Sequence, residues 1–186
     1  MSAWELPTSL NISGVEYDIR SDFRAILDIL TYFSDPTYET DEQWEICLDI
    51  LYVDYEHMPY EHKQEAAQKA SEFISCGMKE SKRPQPRLMD WEQDAPIIIP
   101  AVNRVLGYEC RAVEYMHWWT FIGAYMEIGE SLFSNVVGIR SKKKKGKKLE
   151  KYEKDFYNEN KEIIDLKIKH TAEEEATINR LNALLD

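Results

Sequence analysis

Residues 10–36 read LNISGVEYDIRSDFRAILDILTYFSDP, and two periodicities follow one another within them. Leu10-Asn11-Ile12 and Val15-Glu16-Tyr17-Asp18-Ile19 alternate apolar and polar residues on either side of Ser13-Gly14. Alternation around a two-residue turn predicts a β-hairpin with Leu10, Ile12, Val15, Tyr17 and Ile19 facing a core. From Ser21 or Asp22, either able to cap, the period becomes helical: Phe23, Ile26, Leu27, Leu30 and Phe33 recur until Asp35-Pro36 stops the run. A lone hairpin is marginal in water, so helices must cover it. The fold reads as mainly α, with an N-terminal β-hairpin packed on a bundle of about five to six helices and a charged C-terminal helical arm.

The helices that follow are marked by their caps. Thr40-Asp41-Glu42-Gln43 has capping-box spacing and opens a helix to about Glu56, with Trp44, Cys47, Leu48, Leu51, Tyr52 and Tyr55 on one face. Glu61 to Ile74 is predicted helical after Pro59 and ends at Cys76-Gly77. Met78 to Leu88, polar and carrying Pro84 and Pro86, reads as a loop. Asp90-Trp91-Glu92-Gln93 offers a second box before Ile97, Ile98, Ala101, Val102, Val105 and Leu106. Pro96 and Pro100 mean that this helix is kinked or starts later than the box implies. Tyr115, Trp118, Trp119, Ile122, Tyr125 and Met126 form its expected partner, a core hairpin of helices ending near Gly129. A short helix over 131–140 leads to a lysine run. Leu149 to Leu166 reads as one surface helix with a seam of Phe156, Ile163 and Leu166, and Thr171 caps a last helix whose stripe is Ile178, Leu181 and Leu185.

At 186 residues one globular domain plus a tail is the expectation: a helical domain over 1–140, a basic linker over 141–149 and an arm over 150–186. With 44% apolar and 12% aromatic residues the chain can bury a core, and only 7 Gly and 7 Pro argue against turn-dense or low-complexity architectures. The net charge of −11 is uneven. Between Arg140 and Lys154 nine basic residues meet two acids, leaving 14 basic and 32 acidic residues elsewhere, and such a body repels phosphates. Lys142, Lys143, Lys144, Lys145, Lys147 and Lys148 are therefore the candidate contact for an acidic partner or polyanion; the plainer readings are a solvated linker or a run folded back on the chain's own acids. Cys47, Cys76 and Cys110 are odd in number and lack CxxC spacing, so neither a disulfide framework nor zinc is expected. No signal-like start and no apolar run near the ~20 residues of a membrane span appear, which reads as a soluble protein of a reducing cytoplasm with no membrane partner.

Chemistry finds little support. His57 and His62, each in a Tyr-Glu-His triplet, are five residues apart and cannot share a helix face, so no metal site is expected. His117 beside Trp118-Trp119 has no nucleophile at a recognisable spacing and reads as a histidine at the edge of an aromatic core. Asp90, Glu92 and Asp94 cluster where a helix dipole favours acids. Without a phosphate loop, HExxH or GxSxG, the chain is expected to have no catalytic residues and no cofactor, and not to be an enzyme.

Several ordered anchors resemble the bacteriophage "gene product fifteen" family of tailed phages and prophages of low-GC Gram-positive bacteria. They are Leu6-Pro7; Gly14-Val15-x-Tyr17-x-Ile19-Arg20-x-Asp22-Phe23-Arg24 with Asp35-Pro36; Arg87-Leu88-x-Asp90-Trp91-x-Gln93-Asp94; His117-Trp118-Trp119-x-Phe121; and Ile139-Arg140-Ser141. On this resemblance Asp90, Trp91, His117, Trp118, Trp119 and Phe121 are fold-determining. It implies a non-enzymatic tail-morphogenesis protein encoded between the major tail protein and the tape measure, similar in role to tail assembly chaperones. Its partners would be the tape-measure protein and the major tail protein, with self-association allowed for, in the host cytoplasm during assembly or in the virion tail. The alternative is a phage protein that touches nucleic acid or a host protein through 142–148, although the acidic body disfavours nucleic acid.

Overall fold

The computed structural model of the chain describes residues 4–78 and 86–183. Most of the expected loop from Met78 to Leu88, residues 1–3 and Leu185 of the C-terminal stripe lie outside the described residues. The fold is mainly α with one two-stranded antiparallel hairpin, and the chain divides into two compact units, Met1–Ile74 with Ile168–Asp186, and Ser75–Lys167. The segment 150–167, which the sequence groups with the arm, clusters in the second unit, and the helix after it in the first.

In the first unit β1 (Ser9–Ile12) pairs with β2 (Val15–Asp18), Leu10 opposite Tyr17 and Ile12 opposite Val15. Ser13 and Gly14 both have positive φ, 51° and 84°, the demand of the tight turn whose twist matches the strands. Serine tolerates this because Glu65 holds it: the Ser13 N–H and hydroxyl both donate to Glu65 Oε2, at 3.1 and 2.7 Å. Leu10, Ile12 and Ile19 are buried as expected, but Val15 is 46% exposed and Tyr17 half-buried. Alternation fixes the face of a side chain and not how far the covering helix reaches toward the hairpin tip.

α1 (Phe23–Phe33) starts at Asp22, whose carboxylate accepts the Arg24 N–H, and buries Phe23, Ile26 and Ile29. α2 (Thr40–Leu51) starts one residue earlier than the expected box, with Glu39 and Glu42 exchanging side chain to backbone bonds. It also stops at Leu51 rather than near Glu56. Tyr52 turns extended to bridge Ile19, and Arg20 donates to the carbonyls of Asp49, Ile50 and Tyr52, each at 2.9 Å, satisfying the orphan acceptors of the helix end. Tyr55 and His62 lie in two short 3₁₀ turns, after which α3 (Lys63–Ile74) buries Ala66, Ala70 and Phe73 and packs on β1. The fully buried Tyr52 hydroxyl donates to Ala66 O at 2.9 Å. α9 (Ala172–Asn182) opens on a Thr171–Glu174 capping box.

In the second unit the expected Asp90–Gln93 box does not form: Asp90 accepts the Glu92 and Gln93 N–H groups in a single turn, but its own N–H goes to Asp94 and not to Gln93, and α4 (Ala95–Leu106) begins after that turn. Pro96 then falls in the first helical turn, where no N–H is needed, and Pro100 one turn on; both sit on the exposed face. α4 packs on α5 (Trp118–Met126), the expected helical hairpin, but the buried face of α5 is Trp118, Phe121 and Ala124. Tyr115 and Met126, expected on that face, are 53% and 58% exposed. α6 (Leu132–Lys144) follows. The expected single helix from Leu149 to Leu166 is broken at Asn160 into α7 (Lys151–Glu159) and α8 (Lys161–Ile164). The break rotates the seam: Ile164 is fully buried against Val136 and Ile139, whereas Ile163 is 40% exposed.

Candidate functional site

The C-terminal half of α6 places Arg140 in the interior of the second unit, and every N–H it has is used. Nε donates to Ile164 O at 2.6 Å. Nη1 donates to Asp94 Oδ2 at 2.6 Å and Leu88 O at 3.0 Å, and Nη2 to Asp94 Oδ1 at 2.9 Å and Ile163 O at 2.8 Å. Arg140 is 4% and Asp94 1% exposed. A guanidinium has five donors in a fixed fork, so this saturated, bidentate geometry suits Arg and not Lys. One side chain thus ties α6 to the start of α4, to the irregular segment at Leu88 and to the end of α8.

The other quoted motif residues gather around this node. Asp90 accepts the Glu92 and Gln93 N–H groups and an ion pair from Arg87, while its own N–H donates to Asp94 Oδ2 at 2.9 Å. Gln93 donates to Asp165 O and accepts the Lys167 N–H, both at 2.9 Å, bracing the exit of α8. Trp91 meets Trp118 edge-on at 6.3 Å and lies 4.9 Å from Tyr125. Burial, and then the Asp94 charge, push the Tyr125 phenol up to about 12. Trp118 stacks on Phe121 at 6.0 Å. His117 is buried and caps α5: its Nδ1 accepts the Trp119 N–H at 3.0 Å, which requires that nitrogen to be unprotonated. The half-buried Trp119 ring stands edge-on to it at 5.9 Å. Asp94, read from sequence as one of three helix-start acids, instead makes the central ion pair. Its partner lies 46 residues away, a separation that no local spacing encodes.

The lysine run divides in two. Lys142 and Lys143 lie inside α6: Lys142 donates to Glu153 at 2.6 Å, and Lys143 donates to Asp165 at 2.6 Å while standing 3.7 Å over the Tyr157 ring. The Lys142 bond holds the Glu153 carboxyl below its ordinary range. The helix then closes in a Schellman turn, with Gly146 at φ 63°, its N–H on Lys143 O and the Lys147 N–H on Lys142 O. Lys144, Lys145, Lys147 and Lys148 are exposed and have no ion-pair partner among the described residues.

Elsewhere the histidines part company. His62 Nδ1 bonds the Tyr17 hydroxyl at 2.8 Å; His57 bonds exposed Asp54 at 2.6 Å, which raises its pKa. Asp54, Glu56 and His57 are the one grouping of potential metal-ligand atoms among the described residues, all exposed, and His62 is not in it. Burial pushes the Cys47 thiol up to about 12 and that of half-buried Cys76 up to about 11. No helix among the described residues is long and apolar enough to cross a membrane.

No curated protein and no solved structure matches the chain. A family model described as Bacteriophage Gp15 protein matches residues 4–166, which takes in each of the quoted motifs, and the chain belongs to that family of phage structural or morphogenesis proteins.

Proposed function

We propose that this chain is a tail-morphogenesis protein acting as a tail assembly chaperone, holding the tape-measure protein, and in exchange the major tail protein, by reversible contacts and without catalysis. The observation that carries the reading is family membership across 4–166. The geometry supports a scaffold: the charged and polar groups of the motif residues around Arg140 are engaged in internal bonds, so they hold elements together. The four exposed lysines offer acidic partner segments a contact that the chain outside 140–154, at −18, does not. The setting is the host cytoplasm during assembly.

Co-expression with the tape-measure protein of the neighbouring gene, followed by pull-down and sizing, tests it. A soluble complex is expected; an insoluble tape measure and no complex would remove the chaperone reading. The exposed lysines also favour one second reading, contact with nucleic acid. If four phosphates were neutralised, log K would fall with log salt at a slope of about −3 to −4. A duplex-binding titration at two salt concentrations separates the two.

A further inference from the structure

α6 and α7 leave a groove of about 370 Å³ between them, lined by Ser134, Asn135, Gly138, Tyr152, Glu153 and Phe156. Gly138 is exposed on its floor, a Cβ built there would meet nothing within 4 Å, and Tyr152 on the wall is 72% exposed. Lys145, the C-cap residue of α6, lies seven residues beyond Gly138, so a slot with apolar walls at Ile139 and Phe156 and a polar rim runs toward a cation with no ion-pair partner among the described residues, about 10.5 Å away. The same chain carries a feature of opposite character. α9 exposes Ile178 and Leu181, 37% and 56%, and its first turn holds exposed Glu173 and Glu174. Leu181 and Glu174 are also seven residues apart on one face, about 10.5 Å.

We propose that the α6–α7 groove is the docking site for α9 of a second copy of this chain. Leu181 sits over Gly138 and Tyr152, and the acidic first turn of α9 meets Lys145 and Lys148. This register runs α9 antiparallel to α6, bringing the positive end of one helix dipole to the negative end of the other. The missing side chain at Gly138 admits the incoming helix closely. Every chain carries both halves of the contact, and two copies exchange them in the proposed dimer.

Sedimentation of the full chain without other proteins, across a concentration series reaching millimolar, tests this. Wild type is expected to be a concentration-dependent dimer. Gly138→Leu fills the slot at an exposed helical position with ordinary φ, so it should give a monomer whose melting temperature, compared at a dilution where wild type is also monomeric, is not lowered. E173K, which leaves the Glu174 cap of α9 in place, and K145E/K148E should each weaken the dimer by about tenfold or more, and mixing the two variants should restore a heterodimer in which both contacts are matched, one native and one reversed. A monomeric wild type, a dimer that survives Gly138→Leu, or charge reversals that fail to rescue one another would overturn the proposal. Because no tape-measure protein takes part, the result is independent of the chaperone reading.

Discussion

Arg140 and Asp94 meet in a bidentate ion pair, at 2.6 and 2.9 Å, from positions 46 residues apart. A charge pair so thoroughly removed from water is maintained only while both members and the three carbonyls around the guanidinium remain in place. Removing one partner leaves the other charge buried without compensation. Asp94→Asn and Arg140→Met are each expected to destabilise the second unit by about 3 to 5 kcal/mol. Arg140→Lys should come close to them, since an ammonium cannot reproduce the fork. Denaturant unfolding followed by Trp fluorescence would measure this, and a loss below 1 kcal/mol for all three would show that the pair is not holding the unit together.

The Ser13–Glu65 contact makes a smaller, local prediction. Ser13 adopts positive φ at a cost of roughly 1 to 2 kcal/mol for a non-glycine residue, and Glu65 holds it there with two bonds. Those bonds keep the Glu65 carboxyl below its ordinary range. Ser13→Gly should therefore rescue a Glu65→Ala protein, giving a double variant more stable than Glu65→Ala alone. If Ser13→Gly lowers the melting temperature equally in both backgrounds, the two residues are not coupled.

Local signals of this kind were readable in sequence, and the long-range node was not. Ser13-Gly14 announces its turn, Asp22 its helix, and Pro96 a late start for α4, because each acts over a few residues. Trp118 is buried where the aromatic periodicity places a core, whereas the equally buried Phe121 lies off that periodic face and is singled out only by the family resemblance. Periodicity puts Tyr115 and Met126 on the same face because it cannot say where a helix begins or ends: capping by His117 starts α5 after Tyr115, and Met126 is its last residue. Asn160 breaks the charged C-terminal segment and turns Ile164 inward in place of Ile163, a 100° change of register that an apolar pair at adjacent positions leaves undecided. The division of the lysine run is tertiary in origin: Lys142 and Lys143 find Glu153 and Asp165 only once α7 and α8 fold back.

Trp118 is 1% exposed, between Trp91 and Phe121. Trp118→Ala would empty a large volume that a helical hairpin cannot collapse, with an expected loss of about 3 to 5 kcal/mol. Trp119→Ala, half-buried one residue on, should lose much less. Equal melting temperatures for the two variants would contradict the burial difference.

The cysteines should differ sharply in reactivity. Cys47 and Cys110 are fully buried, whereas Cys76 is only half-buried, at the positive-φ end of α3. The thiolate is the reacting species, and burial pushes Cys47 up to about 12 and Cys76 up to about 11. In the native protein at neutral pH, an alkylating reagent read by peptide mass should label Cys76 slowly and spare Cys47 and Cys110 until denaturant is added. Labelling of Cys47 at the Cys76 rate would mean that the first unit opens far more readily than its packing suggests.

The pH response is most specific at Glu109. Its carboxylate accepts from the Arg111 side chain and backbone and from Asn103, and these bonds, the Arg111 side chain foremost, lower its pKa from 4.5 to about 2. A carboxyl with a lower pKa in the folded than in the unfolded state contributes stability that is fully present above 4.5 and is lost as the pH falls from there toward about 2. The turn at Cys110–Ala112 should accordingly loosen in that window and not at neutral pH. Side-chain carboxyl NMR should place the Glu109 midpoint near 2, and Arg111→Ala should move it back toward 4.5. A wild-type midpoint already at 4.5 would show that the Glu109–Arg111 pairing does not persist in solution.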